Sequence, residues 1–333
     1  MRPPQIAFPA LRQDFFQQRL VAQRGASAQT IASYRDAFEL FLRYAEQRTG
    51  RAPSALTLED LDAPIVLPFL DHLETARGNA PRTRNLRLTA LRSFLRYASV
   101  RDPTALPVAQ RVLAIPTKRF DRPILGFLSR AEVQCLLDAP DRTTWSGQRD
   151  AVLFAVLYNT GARVSELTGL RRADVLLDRA AALHLHGKGR KERVVPLWKS
   201  TAAQLRQWLP RLHPSPSTAV FPNRAGAGMS RSGVEHRLRV AVTTASKCCP
   251  SLVGRRISPH TLRHTTAMHL LQSGVDITVI ALWLGHENPA TTHLYVEAAL
   301  AMKEAALHRL KDPAPGPLRF RARDRLLTFL EAL

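Results

Sequence analysis

Apolar residues recur every three or four positions through the first hundred residues, the spacing that lines one face of an α-helix. Leu11, Phe15 and Leu20 mark a short amphipathic piece over Ala10–Val21. A longer helix is expected from about Ser27, carrying Ile31, Tyr34, Phe38, Phe41, Leu42 and Ala45 and stopping before Gly50. Thr57 reads as a cap ahead of a helix through Val66, Phe69, Leu70 and Leu73. Pro81, well placed in a first turn, opens a helix with Leu88, Leu91, Leu95 and Ala98 as its stripe. Residues 10–100 are therefore expected to form a small all-helical unit.

Beyond it the pattern changes. Residues 101–127 contain Pro103, Pro107, Pro116 and Pro123, a density that reads as a semi-rigid linker. Ser129 and Glu132 form a capping-box signature where structure restarts. A buried helix is expected over Gln148–Tyr158, ended by Gly161, then a short helix with Arg163 and Glu166 three apart. Residues 182–196 shift to a period of two, Leu183 and Leu185 alternating with His184 and His186, and Gly187-Lys188-Gly189 supplies a turn. That segment reads as a β-hairpin with Lys188 near its tip. Helices are expected at about 200–212 and 231–247. Another starts at Ser258-Pro259 and stops at Gly274. Asp276 caps a further helix that ends at Leu284-Gly285-His286, and one more runs from Tyr295 to about Leu310. The fold class is mainly α with a small β-hairpin or sheet (α+β). Two domains, at 10–100 and 128–310, are expected, joined by the 101–127 linker and followed by a tail at 311–333 with a short amphipathic piece, Asp324–Leu333.

Charge narrows the partner. Lys+Arg 48 against Asp+Glu 27 gives a net charge of +21, and such an excess favours a polyanion, because each neutralised phosphate releases condensed counterions. The Pro81–Ser99 segment carries Arg82, Arg84, Arg87, Arg92 and Arg96 around its apolar stripe. By itself this is either a solvated basic face or a DNA-facing one, and the net charge favours the second. No apolar run reaches the roughly 20 residues of a membrane span, and the N-terminus lacks an apolar signal core, so a cytoplasmic, nucleoid-associated protein without a membrane partner is expected. Cys135, Cys248 and Cys249 offer neither a disulfide framework nor metal-ligand spacing. His260 and His264 are four apart but lack the glutamate of a zinc-protease helix. No metal and no cofactor are expected.

The chemistry-bearing residues are Arg163, Lys188, His260, Arg263, His286 and Tyr295. If they converge, two arginines can bracket a phosphate, a tyrosine can attack it, and histidine and lysine can move protons. Each residue taken singly has an ordinary structural reading; the combination is what points to a site.

The segments TGARVSEL, HGKGRKERVVPL, SPHTLRHTTAMHLLQSGVD and LGHENPATTHLY resemble the boxes of the tyrosine recombinases, the phage integrase and Xer family, in order and spacing over roughly residues 128–310. Residues 10–100 resemble, less specifically, the family's helical core-binding (SAM-like) domain. The resemblance implies that Arg163 and Arg263 bind the scissile phosphate and that Lys188 protonates the leaving 5′ oxygen. It makes His260 an aid to proton transfer, and His286 a hydrogen-bond support to the phosphate where some members have tryptophan. Tyr295 would attack to leave a 3′-phosphotyrosyl link, and Glu166 would orient the site. It further implies site-specific recombination or integration, for a mobile element or as an Xer-like resolvase. The partners would be double-stranded DNA sites, a tetramer of the chain working through a Holliday junction, and other recombinases or accessory proteins. The C-terminal tail would either pack on a neighbouring copy or fold back in cis. Arg82, Arg84, Asn85, Arg87, Lys118, Arg231 and Arg237 are the candidate DNA contacts. The alternatives are a type IB topoisomerase, with the same nucleophile and no tetramer, and a non-catalytic DNA-binding accessory protein.

Overall fold

The computed structural model describes residues 7–120, 126–178, 180–187 and 191–285. The expected hairpin tip with Lys188, and everything expected from His286 onward, including Tyr295 and the 311–333 tail, lie outside the described residues. Contacts divide the chain into two units, one through Pro123 and one from Ile124.

The first unit is helical. Helix α1 (Phe8–Asp14) continues as a π-helical stretch over Phe15–Gln23. Helix α2 (Ala28–Thr49) is capped by Ser27, whose hydroxyl accepts the Thr30 N–H, and is ended by Gly50 in the left-handed region. A 3-10 turn (Leu58–Leu61) leads into α3 (Ala63–Thr75), and α4 (Pro81–Arg101) follows. The predicted stripes are the buried ones: Phe38, Phe41, Val66, Phe69, Leu88, Leu91 and Leu95 all enter one core.

The linker expected over 101–127 is corrected in its first half. Asp102 caps a 3-10 turn (Pro103–Ala105), and α5 (Leu106–Ala114) follows, with Val108, Ala109 and Val112 buried in the same core. Pro103 and Pro107 both stand in first turns, where the missing N–H has no helical partner to lose and the fixed φ suits the helix. They start helices here and break none.

The second unit wraps around α7 (Trp145–Thr160), in which every side chain from Ala151 to Leu157 is buried. Before it, α6 (Arg130–Asp138) carries the expected capping box between Ser129 and Glu132. After it, Gly161 adopts φ 59° and α8 (Val164–Gly169) begins. The sheet has three antiparallel strands in the order β1 (Val175–Leu176), β2 (Ala182–His186) and β3 (Glu192–Pro196). The hairpin register pairs Leu183 with Val195 and His186 with Glu192. Helices α9 (Lys199–Trp208), α10 (Arg231–Ala245), α11 (Pro259–Gln272) and α12 (Ile277–Leu284) follow among the described residues. Tyr158 Oη lies 2.7 Å from His269 Nδ1, and Thr266 donates to the Tyr158 carbonyl at 2.7 Å, fixing α11 against α7. Ala267, Met268, Leu271, Ile280 and Leu284 form a small apolar cluster that joins α11 to α12. No helix among the described residues is long and apolar enough to cross a membrane.

Aromatic packing concentrates the first unit's stability on α4. The Phe94 ring meets Phe8, Phe15 and Phe38 edge-on at centroid distances of 5.8, 5.5 and 5.3 Å, the favoured aromatic geometry. Phe94→Ala is expected to destabilise the protein by about 3–5 kcal/mol, measured as a lower denaturant midpoint by circular dichroism.

Candidate functional site

Helix α8 and strand β3 meet at Glu166. The carboxylate is buried, at 4 % relative exposure. Its Oε2 accepts the Arg163 backbone N–H at 2.8 Å, closing the start of α8, and its Oε1 accepts the Arg163 guanidinium at 2.9 Å. From β3, Arg193 approaches the same carboxylate with both terminal nitrogens, at 2.9 and 2.8 Å. Burial pushes the Glu166 carboxyl up, but the Arg193 hydrogen bonds and charge, joined by Arg163, hold it below its ordinary value.

The same guanidiniums reach the end of α12. Arg193 Nε donates to the Trp283 carbonyl at 2.9 Å and Arg163 to the Gly285 carbonyl at 2.8 Å. Arg263, buried on α11, donates to the Leu284 carbonyl at 2.7 Å and to the Gly161 carbonyl at 2.6 Å. Three arginines thus hold three successive carbonyls at the helix C-terminus, where no intrahelical N–H remains and the dipole is negative. Backbone shape makes the fit possible. Gly285 has φ 64°, and a Cβ there would stand 3.0 Å from the Arg193 guanidinium. A Cβ on Gly161 would stand 2.5 Å from a Leu284 methyl carbon.

Of the six chemistry-bearing residues, the structure therefore brings Arg163 and Arg263 to adjacent carbonyls, directly before His286 in the chain. His260 sits exposed in the first turn of α11, one turn before Arg263. Gly187, just ahead of Lys188, follows the last residue of β2 on the turn side of the hairpin, where an added Cβ would be 3.3 Å from Glu166 Oε1. Lys188, His286 and Tyr295 are outside the described residues. A guanidinium carries five N–H donors, and the Arg163 side chain keeps 35 % of its surface open beside its bonds to Glu166 and Gly285.

Arg193 is the member the sequence reading missed. Its signal was the alternation of the hairpin: Val195 faces the core at 1 % exposure, so Arg193, two residues earlier, faces inward too. A charged residue on the inward face needs a buried partner.

The candidate DNA contacts divide sharply. Arg82 is exposed at the start of α4. Arg84 is corrected: it is 4 % exposed, with Nε 3.6 Å from Glu74 and a terminal nitrogen near the Pro116 carbonyl, and cannot read a base from there. The Asn85 amide is held in both directions by the Lys118 backbone, at 2.8 and 3.1 Å, and Lys118 Nζ pairs with Glu74 at 2.6 Å. Arg87 donates to the Ser33 carbonyl at 3.0 Å, tying α4 to α2. Arg237, its side chain 31 % exposed, pairs with buried Asp150, which Arg149 also holds. Arg231 is exposed and pairs with Glu235 one turn on, at 2.8 Å. The sequence reading had not singled out a basic groove of about 610 Å³ in the first unit, lined by Arg19, Arg24, Arg96, Tyr97 and Arg101.

Comparison with known proteins places this arrangement. Residues 126–302 match the phage integrase family model and residues 14–102 the model of the phage integrase N-terminal SAM-like domain. The chain is 50 % identical over 323 residues to a Sinorhizobium fredii protein named integrase/recombinase y4rC, covering 97 % of each. It is 35 % identical over 301 residues to tyrosine recombinase XerD of Pseudomonas putida, covering 86 % of this chain and 93 % of XerD. Solved structures share the fold. XerH recombinase bound to its palindromic difH substrate aligns with a TM-score of 0.66 at 20 % identity, over 85 % of this chain and 80 % of that one. The Tn1549 transposon integrase bound to transposon right end DNA aligns with a TM-score of 0.67 at 17 % identity, over 92 % and 99 %. The chain belongs to the phage integrase family. It is a tyrosine-type site-specific DNA recombinase.

Glu166→Gln leaves the Arg193 guanidinium buried against a neutral amide and is expected to destabilise the protein by about 3 kcal/mol or more, read from denaturant midpoints. The depressed carboxyl stabilises the fold fully above its unfolded value of about 4.3 and loses that contribution as pH falls through the lower folded value. The gap between wild type and Glu166→Gln should therefore narrow below about pH 4.

Proposed function

We propose that the protein cleaves and rejoins DNA through a 3′-phosphotyrosyl intermediate. In this reading Tyr295 Oη attacks the scissile phosphorus as the bond to the 5′ oxygen breaks. Lys188 gives that oxygen a proton, and His260 receives the tyrosine's. Arg163 and Arg263, with His286, stabilise the charge that grows on the non-bridging oxygens. Attack by a 5′-hydroxyl from a partner strand reverses the step and restores the tyrosine, so bond energy is conserved without a nucleotide cofactor. Four copies exchange strands pairwise through a Holliday junction, and the 311–333 tail of one copy packs on the next.

The supporting observation is the anchoring of α12. Arg163 and Arg263 bind the carbonyls of Gly285 and Leu284, the last two described residues before the family's histidine position in the sequence. The Pro81–Arg101 helix and the groove lined by Arg19, Arg96 and Arg101 supply cationic surface for phosphate contacts.

Tyr295→Phe is expected to abolish covalent capture of nicked DNA carrying the recombination site while gel-shift binding persists. Capture that survives this change removes Tyr295 from the mechanism. Relaxation of supercoiled DNA by wild type, without exchange between two sites, would assign a topoisomerase instead.

A further inference from the structure

The solvent side of the hairpin carries a second cluster that the recombination chemistry does not use. His184 and His186 alternate with the core residues of β2 and so stand on one face, their rings 4.5 Å apart. Asp174 comes from the 3-10 turn (Arg172–Asp174) that precedes β1. Its Oδ2 accepts the Arg171 N–H at 2.8 Å, which turns Oδ1 towards His186 Nε2, 2.9 Å away. Glu192, opposite His186 in the register, places Oε1 3.1 Å from His186 Nδ1 and Oε2 2.9 Å from His184 Nε2. One donor atom from each of Asp174, His184 and His186 lies within 4.8 Å of the other two.

We propose that Asp174, His184 and His186 bind a divalent transition metal of the zinc type on the solvent face of this hairpin, towards its turn, with Glu192 as supporting carboxylate. Two imidazoles and a carboxylate are the donor set of zinc, cobalt and nickel, whereas calcium and magnesium prefer oxygen alone. Ligand distances of about 2.0–2.1 Å in a tetrahedron put donor atoms about 3.3 Å apart. The His186–Asp174 edge is already shorter than that, and His184, within 4.8 Å of both, has to close by at most about 1.5 Å, within reach of a side-chain rotation. The Glu192 carboxylate beside His186 Nδ1 supplies the outer support that fixes a ligating imidazole, as the Arg171 N–H does for Asp174. The His186 side chain is half exposed, which gives an ion a route from solvent.

A bound ion would tie the turn before β1 to β2, with Glu192 of β3 drawn in through its bonds to the two imidazoles, and Lys188 lies in sequence between His186 and Glu192. Occupancy would therefore hold closed the hairpin that carries the proposed general acid. The binding itself does not depend on the recombination mechanism.

Metal-stripped full-length protein is titrated with zinc by calorimetry and with cobalt by visible absorption, in the absence of DNA. One ion per chain is expected. The His184→Ala/His186→Ala double variant should bind at least tenfold more weakly, and Asp174→Asn serves as a second variant. Circular dichroism in chelator checks that each variant is folded. Zinc should slow backbone hydrogen exchange at Ala182–His186 and Glu192–Pro196 in the wild type alone. No saturable uptake at micromolar zinc, or equal uptake by the folded variants, would overturn the site. Unchanged exchange on zinc binding would overturn the clamp. Because no step uses DNA, failure here leaves the tyrosine mechanism standing, and failure of Tyr295 leaves the metal site standing.

Discussion

A carboxylate removed from water sets the terms for the catalytic unit. Burying Glu166 carries a desolvation penalty of several kcal/mol, which only close, well-aligned donors offset. Arg193 meets it with two parallel bonds and Arg163 with its backbone N–H and guanidinium. Those guanidiniums are thereby fixed in orientation, and the donors left over point at the end of α12. The ion pair thus works as a locating pin. It converts the relative positions of α8, β3 and α12 into one arrangement, and Arg263 ties α7 and α11 to the same helix end.

The habit of placing guanidiniums on helix-end carbonyls recurs through the chain. Arg92 reaches the carbonyls of Leu113 and Ile115 at the end of α5 and Arg172 that of Leu209 at the end of α9, while Arg206 and Arg255 take the loop carbonyls of Leu177 and Phe127. A planar fork of five donors suits carbonyls left without partners. Much of the +21 charge is therefore built into the scaffold, and the surface open to a phosphate backbone is smaller than the net charge implies.

Helix boundaries were legible wherever a cap or a left-handed glycine marks them, as at Ser27, Ser129, Ser258, Gly50, Gly161 and Gly285. The hairpin was legible from its period of two. Strand β1 was not, because two residues carry no period. Helix α5 was hidden by its prolines, whose effect depends on whether they fall in a first turn or an interior one, and composition cannot tell these apart. Arg163, Glu166 and Arg263 were recognisable as a set through the family boxes. Arg84 and Arg237 look in sequence like any solvent-facing arginine; the burial of Arg84 and the pairing of Arg237 depend on Glu74 and Asp150, which are on other helices.

Helix α12 has eight residues, fewer than an isolated helix needs to persist in water. Its shape is borrowed from its surroundings: the Leu284 methyl seated against Gly161, the apolar cluster shared with α11, and the three guanidiniums on its final carbonyls. Take away the seat and the coil itself melts. The point at which the chain passes into residue 286 is then governed by a local folding equilibrium, switched cooperatively between formed and unformed, and not by a rigid rod swinging on a hinge.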